Sequence, residues 1–202
     1  MGTGYDTLRF VFGGGIVALL LAAAVWMPLA SGLLKTGGYH GLLVNQSVPD
    51  FALENTRGTF DTAAILNNRF TFLFFGYAQC AGVCVRALAE LRELKRLSQQ
   101  PFAVLFVSLD PERDTLPLLR TLEESGGAHW TALRGELRGV QSLANAFGAP
   151  YSYQAAAARD EAGYQFDHPG HLYLIGPEHR IRLVYTTGFS ARELSADLQQ
   201  FS

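Results

Sequence analysis

The sequence predicts an α/β fold built on a mixed β-sheet, and two features of the chain support this prediction. Two apolar runs, FTFLFF from Phe70 and FAVLFVSL from Phe102, are typical of buried parallel strands. Between them, Val83, Leu88 and Leu91 recur at helical spacing. Strand, helix and strand in this order form a right-handed crossover unit. Because antiparallel hairpins and a terminal helix follow, we predict a sandwich of thioredoxin type with a central mixed sheet.

Local patterns predict the other elements of this domain. A capping box from Ser190 to Glu193 begins the terminal helix. The other helices are predicted over residues 83–99, from 114 or 115 to 126, and over 136–147. The other strands are predicted over residues 50–54, 59–61, 129–133, 151–153, 164–166, 172–175 and 181–185, and the last four form two hairpins. We therefore assign residues 48–202 to this domain.

An uncharged apolar segment precedes the domain. No charged residue occurs between residues 10 and 34, and such a segment is long enough for a membrane-spanning helix of about 20 residues. A cleaved secretory signal is the alternative, but the apolar region of such a signal spans about 7 to 15 residues. The segment's only A-x-A match, residues 22–24, also lies inside the apolar run. We therefore predict a short head over residues 1–9, an uncleaved transmembrane anchor over 10–34 and a Gly-rich linker over 35–47.

Charge and flanking residues narrow the class of protein. The formal net charge is −2 and basic clusters are absent, so nucleic-acid binding has no support. No Arg-rich, Ser-rich presequence precedes the apolar segment, which argues against import into an organelle. The positive-inside signal is nearly balanced, but a short head is typical of a signal anchor. We expect a single-pass protein of the bacterial inner membrane with its soluble domain in the periplasm, a compartment that permits disulfides.

Cys80 and Cys84 are the only two cysteines, and they lie where the central strand ends and a helix begins. Residues four apart on a helix lie on one face, so both thiols can bind one small ligand such as copper. A separation of about 6 Å between their α-carbons also falls in the range that a disulfide tolerates. The alternative is a pair of small core residues or an inert disulfide. Because we expect such a junction to expose its groups, we predict a metal-bound dithiolate or a redox pair.

A copper ion bound by two thiolates needs a further ligand. Histidine is the candidate, because Met1 and Met27 are the only methionines and neither belongs to the soluble domain. His168 lies between the two predicted hairpins, and His171 is a rival ligand at the start of the next strand. Either residue reaches the cysteines only if two loops meet at one end of the sheet, which spacing leaves open. The other histidines are expected in the linker, at a strand edge and in a turn, and are His40, His129 and His179.

Three motifs occur in order along the chain: GYAQCAGVCVRALAEL, VSLDPERDT and FDHPGHLYLIGP. With the N-terminal anchor, they resemble the Sco/SenC family of copper chaperones for cytochrome c oxidase assembly. The resemblance covers nearly all of the soluble domain. It implies a thioredoxin-like fold in which Cys80, Cys84 and His168 bind one copper ion, as Cu(I), Cu(II) or both. It also implies delivery of that copper to the CuA centre of an oxidase subunit, with a copper donor or thiol reductant as a further partner.

The resemblance also marks two acidic residues and two departures from the family pattern. Asp110 and Asp114 match the family's DPxRDT segment and are expected to shape the metal loop, although helix capping is the simpler role for Asp114. The family usually has C-P-x-V-C, and here Ala81 stands in place of the proline. Pro169 replaces the usual hydroxyl residue beside His168. Neither departure removes a ligand.

Three functions follow from the cysteine pair. The first is a metallochaperone, which needs no general acid or base and is not an enzyme in the strict sense. The alternative is a thiol-disulfide oxidoreductase that reduces the cysteines of the oxidase subunit, or of another exported protein, through a mixed disulfide. A thiol peroxidase is disfavoured, because Tyr77 stands three residues before Cys80, where such enzymes usually have threonine.

Overall fold

The computed structural model describes residues 38–62, 69–80, 82–155 and 164–201. The predicted head and membrane anchor lie outside these ranges. Within them, no helix is both long enough and apolar enough to cross a bilayer. The segment Tyr39–Ser202 forms one compact unit.

The described strands form one large sheet and one small one. They are β1 (Leu42–Ser47), β2 (Ala52–Asn55), β3 (Gly58–Asp61), β4 (Phe70–Gly76), β5 (Phe102–Ser108), β6 (Trp130–Arg134), β7 (Ser152–Ala155), β8 (Tyr164–Asp167), β9 (Leu172–Ile175) and β10 (Arg180–Tyr185). Eight of them follow the order β1-β10-β9-β4-β5-β6-β2-β3, and β7 pairs with β8 separately. β4, β5 and β6 are parallel neighbours, whereas the other pairs are antiparallel. The predicted mixed sheet is therefore confirmed.

Helices cover both faces of this sheet. Those in the described ranges are α1 (Val83–Leu97), α2 (Leu116–Gly126), α3 (Leu137–Ala146) and α4 (Ala191–Gln199). Successive side chains of a strand point to opposite faces. Phe72 and Phe74 of β4 accordingly pack in one core with α1, α2 and α4, while Leu73 and Phe75 pack in a second core with α3. The compact unit is thus the α/β sandwich that the sequence predicts.

Local signals also predict the last elements correctly. β9 and β10 form a hairpin, as do β7 and β8. The Glu193 carboxylate accepts the Ser190 backbone N–H at 2.8 Å, and the Ser190 hydroxyl accepts the Glu193 N–H at 3.4 Å. The capping box at the start of α4 is therefore confirmed.

Part of the segment assigned to the linker is a strand of the sheet. β1 pairs antiparallel with β10, with Leu42 opposite Val184 and Ser47 opposite Arg180. Val44 is the one half-buried residue of this strand, and the others are exposed. A strand that buries so little has no clear alternation of apolar and polar residues. Its position is decided by pairing with β10, which local sequence does not reveal.

The carboxylate of Asp197, in α4, anchors the residues before β1. It is fully buried and accepts hydrogen bonds from the backbone N–H groups of His40 at 2.9 Å and Gly41 at 3.1 Å, and from the Tyr185 hydroxyl at 3.0 Å. His40 Nδ1 lies 2.8 Å from the same carboxylate. His40 is therefore held to the folded domain by hydrogen bonds, and its side chain remains exposed to solvent. The hydrogen bond to Asp197 is the main reason that the pKa of His40 is raised.

We expect Asp197→Ala to lower the free energy of unfolding by about 3 kcal/mol, because it removes a buried charged acceptor and leaves its donors unpaired. Urea denaturation of the full chain at neutral pH measures this change. Asp50→Ala is the matched control, since Asp50 is exposed, and we expect it to change stability by less than about 0.5 kcal/mol. Equal losses in the two variants would contradict the anchoring role.

The raised pKa of His40 makes part of the stability depend on pH. A histidine whose folded pKa exceeds its unfolded value stabilises fully below the unfolded pKa, about 6.5, and this contribution disappears as the pH rises through the folded pKa. Urea unfolding should therefore give a larger difference between wild type and His40→Ala at pH 5.5 than at pH 8.5. In an Asp197→Ala background the difference should not depend on pH. A constant difference in the wild-type background would show that the ring does not titrate against Asp197.

Candidate metal centre

The two cysteines follow the carboxyl end of β4. The backbone N–H of Cys80 donates to the carbonyl of Tyr77 at 3.1 Å, so Cys80 lies in the loop after the strand. The helix α1 begins only at Val83, after Gly82, whose φ and ψ of −113° and −109° are not helical. Cys84 therefore lies in the first turn, and the predicted arrangement of both thiols on one helix face is wrong. The pair spans a loop and a helix start.

His168 reaches this loop because of the way β9 pairs with β4. The two strands are antiparallel, with Leu172 opposite Phe74, so the start of β9 lies beside the end of β4. His168 precedes β9 by a few residues, and its Nε2 lies 3.5 Å from Cys84 Sγ. One ligand atom from each of Cys80, Cys84 and His168 can be chosen so that all lie within 4.8 Å of one another. The structure thus brings together the three residues that the sequence singled out.

Two aromatic rings and one carbonyl orient the imidazole of His168. Phe74 and Tyr77 contact it edge to face, with ring centroids 6.4 Å and 6.0 Å away. His168 Nδ1 lies 3.2 Å from the carbonyl oxygen of Pro169. Because a carbonyl only accepts hydrogen bonds, Nδ1 is the protonated nitrogen in this contact. Nε2 is the nitrogen that faces Cys84.

Two glycines allow the ligand-bearing segments to approach closely. A Cβ on Gly170 would lie 2.2 Å from Cγ2 of Val83 and 2.8 Å from Cγ2 of Thr187. A Cβ on Gly76 would lie 3.0 Å from Cys84 Sγ. The backbone of the His168 loop therefore packs directly on the first turn of α1, and the end of β4 packs directly on a ligand sulfur.

The cysteines are buried, contrary to the expectation that the junction exposes them. Cys80 is 8% exposed and Cys84 is 2% exposed, whereas His168 is half-buried. Both belong to the apolar core between the sheet and α1, and they are not joined by a disulfide. Core packing of Cys84 at the helix start explains the difference, because its side chain points at the sheet.

The hydrogen bond between the two thiols shifts their pKa values in opposite directions. The Cys84 thiol donates to the Cys80 sulfur, and this hydrogen bond is the main cause that lowers the pKa of Cys80 to about 4. Contact with His168 lowers it further, against the effect of burial. The pKa of Cys84 is raised, first by that same hydrogen bond and then by burial. Cys80 is therefore the more acidic of the two thiols.

Asp114 holds the cysteine loop in place. Its buried carboxylate accepts the backbone N–H of Ala78, with both oxygens at 3.1 Å, and the hydroxyl of Ser108 at 2.6 Å. The predicted helix-capping role is wrong, because Thr115 is the residue that precedes α2 and no side chain caps that helix. Burial is the main reason that the pKa of Asp114 is raised.

Asp110 acts on the same loop through an arginine. Its carboxylate accepts a hydrogen bond from Nε of Arg113, and the guanidinium carbon of Arg113 lies 5.9 Å from the centroid of the Tyr77 ring. Tyr77 in turn contacts His168. The loop-shaping role expected for both aspartates therefore has a structural basis, Asp114 acting on the loop backbone and Asp110 on its aromatic residue.

The other histidines are not members of this cluster. His171 Nδ1 is 3.4 Å from the hydroxyl of Tyr173. His129 accepts a hydrogen bond from the Trp130 indole at 3.1 Å, and His179 occupies a turn with a φ of 61°. In the part of the chain that the structure describes, Cys80, Cys84 and His168 form the only group of three or more potential ligands.

Sequence reasoning did not single out Phe74, Ser108 or Gly170. Phe74 resembles any other residue of a buried strand, and Ser108 ends the next strand without a motif of its own. Gly170 offered a weak signal, since a glycine beside a ligand residue often marks a close approach of the backbone. Their roles become visible only from the contacts that the fold creates.

The donor set fits one soft or borderline metal ion. With a metal–sulfur bond of about 2.3 Å and a metal–nitrogen bond of about 2.1 Å, sulfur and nitrogen lie about 3.6 Å apart at a tetrahedral angle. The distance of 3.5 Å between Cys84 Sγ and His168 Nε2 agrees with this value. Thiolates favour Cu(I) and zinc, and imidazole accommodates copper in both oxidation states.

Comparison with known proteins places this arrangement in a family. Residues 42–202 match the SCO1/SenC family. The chain belongs to the SCO1/SenC family. A provisionally named copper-binding protein of Stutzerimonas stutzeri is 27% identical over 172 residues, which cover 81% of this chain and 83% of that protein.

Solved SCO1/SenC structures share the fold of this chain. ScoI of Arabidopsis thaliana, determined with copper bound, gives a TM-score of 0.68 at 22% identity, covering 76% of this chain and 98% of that chain. The apo Sco1 protein of Thermus thermophilus gives a TM-score of 0.68 at 28% identity, covering 83% and 99%. The thioredoxin-like fold predicted from the sequence is therefore confirmed for the part of the chain that these structures cover.

The asymmetric protonation of the cysteines is testable by alkylation. Cys80 is a thiolate above pH 4 or so, so its reaction with iodoacetamide should lose its pH dependence above about pH 6 and slow as the pH falls toward 4. Cys84→Ala removes the donor that lowers the pKa, so the midpoint should move upward toward the ordinary cysteine value. Mass spectrometry of the reduced full chain gives the rate at Cys80. Val85→Ala is the control, because Val85 is an exposed neighbour of Cys84, and it should leave the midpoint at Cys80 unchanged. If Cys84→Ala also leaves the midpoint unchanged, Cys84 is not the donor that lowers the pKa of Cys80.

Proposed function

We propose that this chain is a copper metallochaperone that binds one copper ion through Cys80, Cys84 and His168. The observation that carries the proposal is the convergence of two sulfurs and one imidazole nitrogen within 4.8 Å of one another. Membership of the SCO1/SenC family and the copper-bound relative support copper over zinc.

The three ligands suit both oxidation states of copper. Two sulfurs provide the soft donors that Cu(I) prefers, and the imidazole of His168 helps to hold Cu(II). Cys80 is already a thiolate, whereas Cys84 loses its proton on binding. Copper uptake therefore releases a proton and becomes stronger as the pH rises.

His168 is the ligand through which copper enters and leaves. It is half-buried while both cysteines are buried, so an incoming sulfur of the acceptor meets the metal on the imidazole side. Exchange of His168 for an acceptor ligand then precedes exchange of the cysteines. This order keeps the metal bound by at least two ligands throughout the transfer.

The proposed acceptor is the CuA-bearing subunit of cytochrome c oxidase during its assembly. The family resemblance supports this assignment. The proposed location is the periplasmic side of a bacterial inner membrane, with residues 10–34 as the anchor, on the strength of the uncharged apolar segment. A copper donor or a thiol reductant completes the set of partners.

One observation favours a second function, reduction of the acceptor's disulfide. A thiolate at Cys80 beside a protonated Cys84 is the arrangement of an attacking and a resolving thiol. Cys80 would attack the partner's disulfide to form a mixed disulfide and release one partner thiolate. Cys84, after losing its proton, would attack Cys80 and release the other, leaving this chain oxidised and the partner reduced. A thiol reductant would return the pair to the reduced state.

The two functions differ in their need for His168. We expect His168→Ala to weaken Cu(II) binding by the purified full chain by more than about tenfold, because it removes a ligand. His171→Ala is the matched control, since its ring contacts Tyr173 rather than the cluster, and it should bind copper as the wild type does. Titration with Cu(I) and Cu(II) followed by metal analysis measures both.

Disulfide reduction is measured on the same variants with an aromatic disulfide as substrate. If His168→Ala loses copper binding but still reduces the disulfide, His168 is needed for the metal site and not for the thiol chemistry. Copper binding that survives the loss of His168, or that persists when either cysteine is replaced, would refute the proposed ligand set.

A further inference from the structure

A groove borders the cysteine loop on the side of α1. It has a volume of about 440 Å³ and is lined by residues of the loop, the start of α1 and the segment after β10, among them Gly82, Val83, Arg86, Thr187, Gly188 and Phe189. We call it the α1 groove. Its volume falls in the range of sites that hold small ligands or short peptide segments.

The α1 groove has apolar walls and an open floor. Val83 and Phe189 are half-buried, and Phe189 is braced by the Tyr185 ring with centroids 6.1 Å apart. A Cβ built on Gly82 or Gly188 would meet no atom within 4 Å. The groove is therefore already open beside Gly82 and Gly188 in the folded domain.

The charge in the α1 groove is positive. Arg86 is exposed and makes no ion pair within the described ranges. The first turn of α1 contains no acidic residue. Two acidic residues lie near the groove in the sequence. Glu90 follows the first turns of α1, and its carboxylate accepts a hydrogen bond from the Ala191 N–H. Glu193 follows Phe189, and its carboxylate accepts one from the Ser190 N–H. An entering carboxylate would therefore meet Arg86 as a free cation.

The α1 groove is in contact with the segment that carries His168. Val83 and Thr187 line the groove, and the same two side chains lie against Gly170, where an added Cβ would be 2.2 Å and 2.8 Å away. Gly170 follows His168 by two residues. Because these contacts leave no spare room, a segment that displaces Val83 or Thr187 also displaces the His168 loop.

We infer that the α1 groove is the docking site for an extended, acidic segment of the protein that exchanges copper with this chain. The inference rests on the proposed function. An apolar side chain of the segment packs between Val83 and Phe189, and a carboxylate pairs with Arg86. Docking there places the partner's metal ligands beside the cysteine loop. The docked segment also contacts Val83 and Thr187, on which the His168 loop packs.

Charge reversal at Arg86 tests the groove. The probe is a fluorescein-labelled octapeptide with two glutamates, a leucine and a cysteine, compared with a peptide that has glutamine in place of glutamate. We expect the glutamate peptide to bind the full chain more tightly, and Arg86→Glu to weaken it by about tenfold in fluorescence anisotropy at low salt. Arg138→Glu is the matched control, because Arg138 is exposed on α3, which packs on the opposite face of the sheet. Its affinity for the peptide should remain that of the wild type.

A second measurement links docking to the metal. Copper-loaded wild type should transfer copper to the glutamate peptide faster than Arg86→Glu does, while both proteins bind copper with equal stoichiometry and affinity. If copper binding is absent in the wild type, the proposed function fails. If copper binds but the peptide affinities of wild type, Arg86→Glu and Arg138→Glu are equal, the docking inference alone is overturned.

Other occupants of the α1 groove give different results. Binding of phosphatidylglycerol vesicles that is lost in Arg86→Glu, without any preference for the glutamate peptide, would assign the groove to a lipid surface and overturn the inference. A change from dimer to monomer in Arg86→Glu, measured by light scattering, would assign it to a second copy of this chain and would also overturn it.

Discussion

The antiparallel pairing of β9 with β4 is the constraint on which the metal centre depends. β4 delivers the cysteine loop at its carboxyl end, and β9 starts beside that end because Leu172 pairs with Phe74. The segment before β9 therefore has to pass over the cysteine loop. His168 lies in that segment, 84 residues after Cys84, and it approaches the sulfurs through strand register rather than through any local motif.

Close packing around the cysteine loop then fixes the relative positions of the three candidate ligands. Gly170 lets the His168 loop lie directly on Val83, and Asp114 holds the backbone N–H of Ala78 on the other side of the cysteines. Phe74 and Tyr77 then fix the imidazole ring by edge contacts. The site is supported by the core of the domain on one side and by a hydrogen-bonded loop on the other, so its ligands are held near one another in the folded chain without a disulfide.

The buried pair of cysteines suits both metal binding and thiol-disulfide exchange. The pKa of Cys80 is lowered and that of Cys84 is raised, so Cys80 is the first of the two thiols to ionise. The half-buried imidazole is the part of the centre that solvent and partners reach first. The α1 groove lies against the same loop, so recognition of a partner and release of a ligand use neighbouring residues.

The sequence by itself determined most of the elements and the identity of the candidate ligands. Apolar runs predicted β4 and β5, the capping box predicted the start of α4, and the spacing of Cys80 and Cys84 predicted a shared site, because each depends on residues close together in the chain. Tertiary structure decided what depends on distant residues. Three features follow from contacts between separate elements, and no local pattern encodes such contacts. They are the burial of both thiols, the pairing that makes a strand of residues 42–47, and the hydrogen bond from the Ala78 N–H to Asp114.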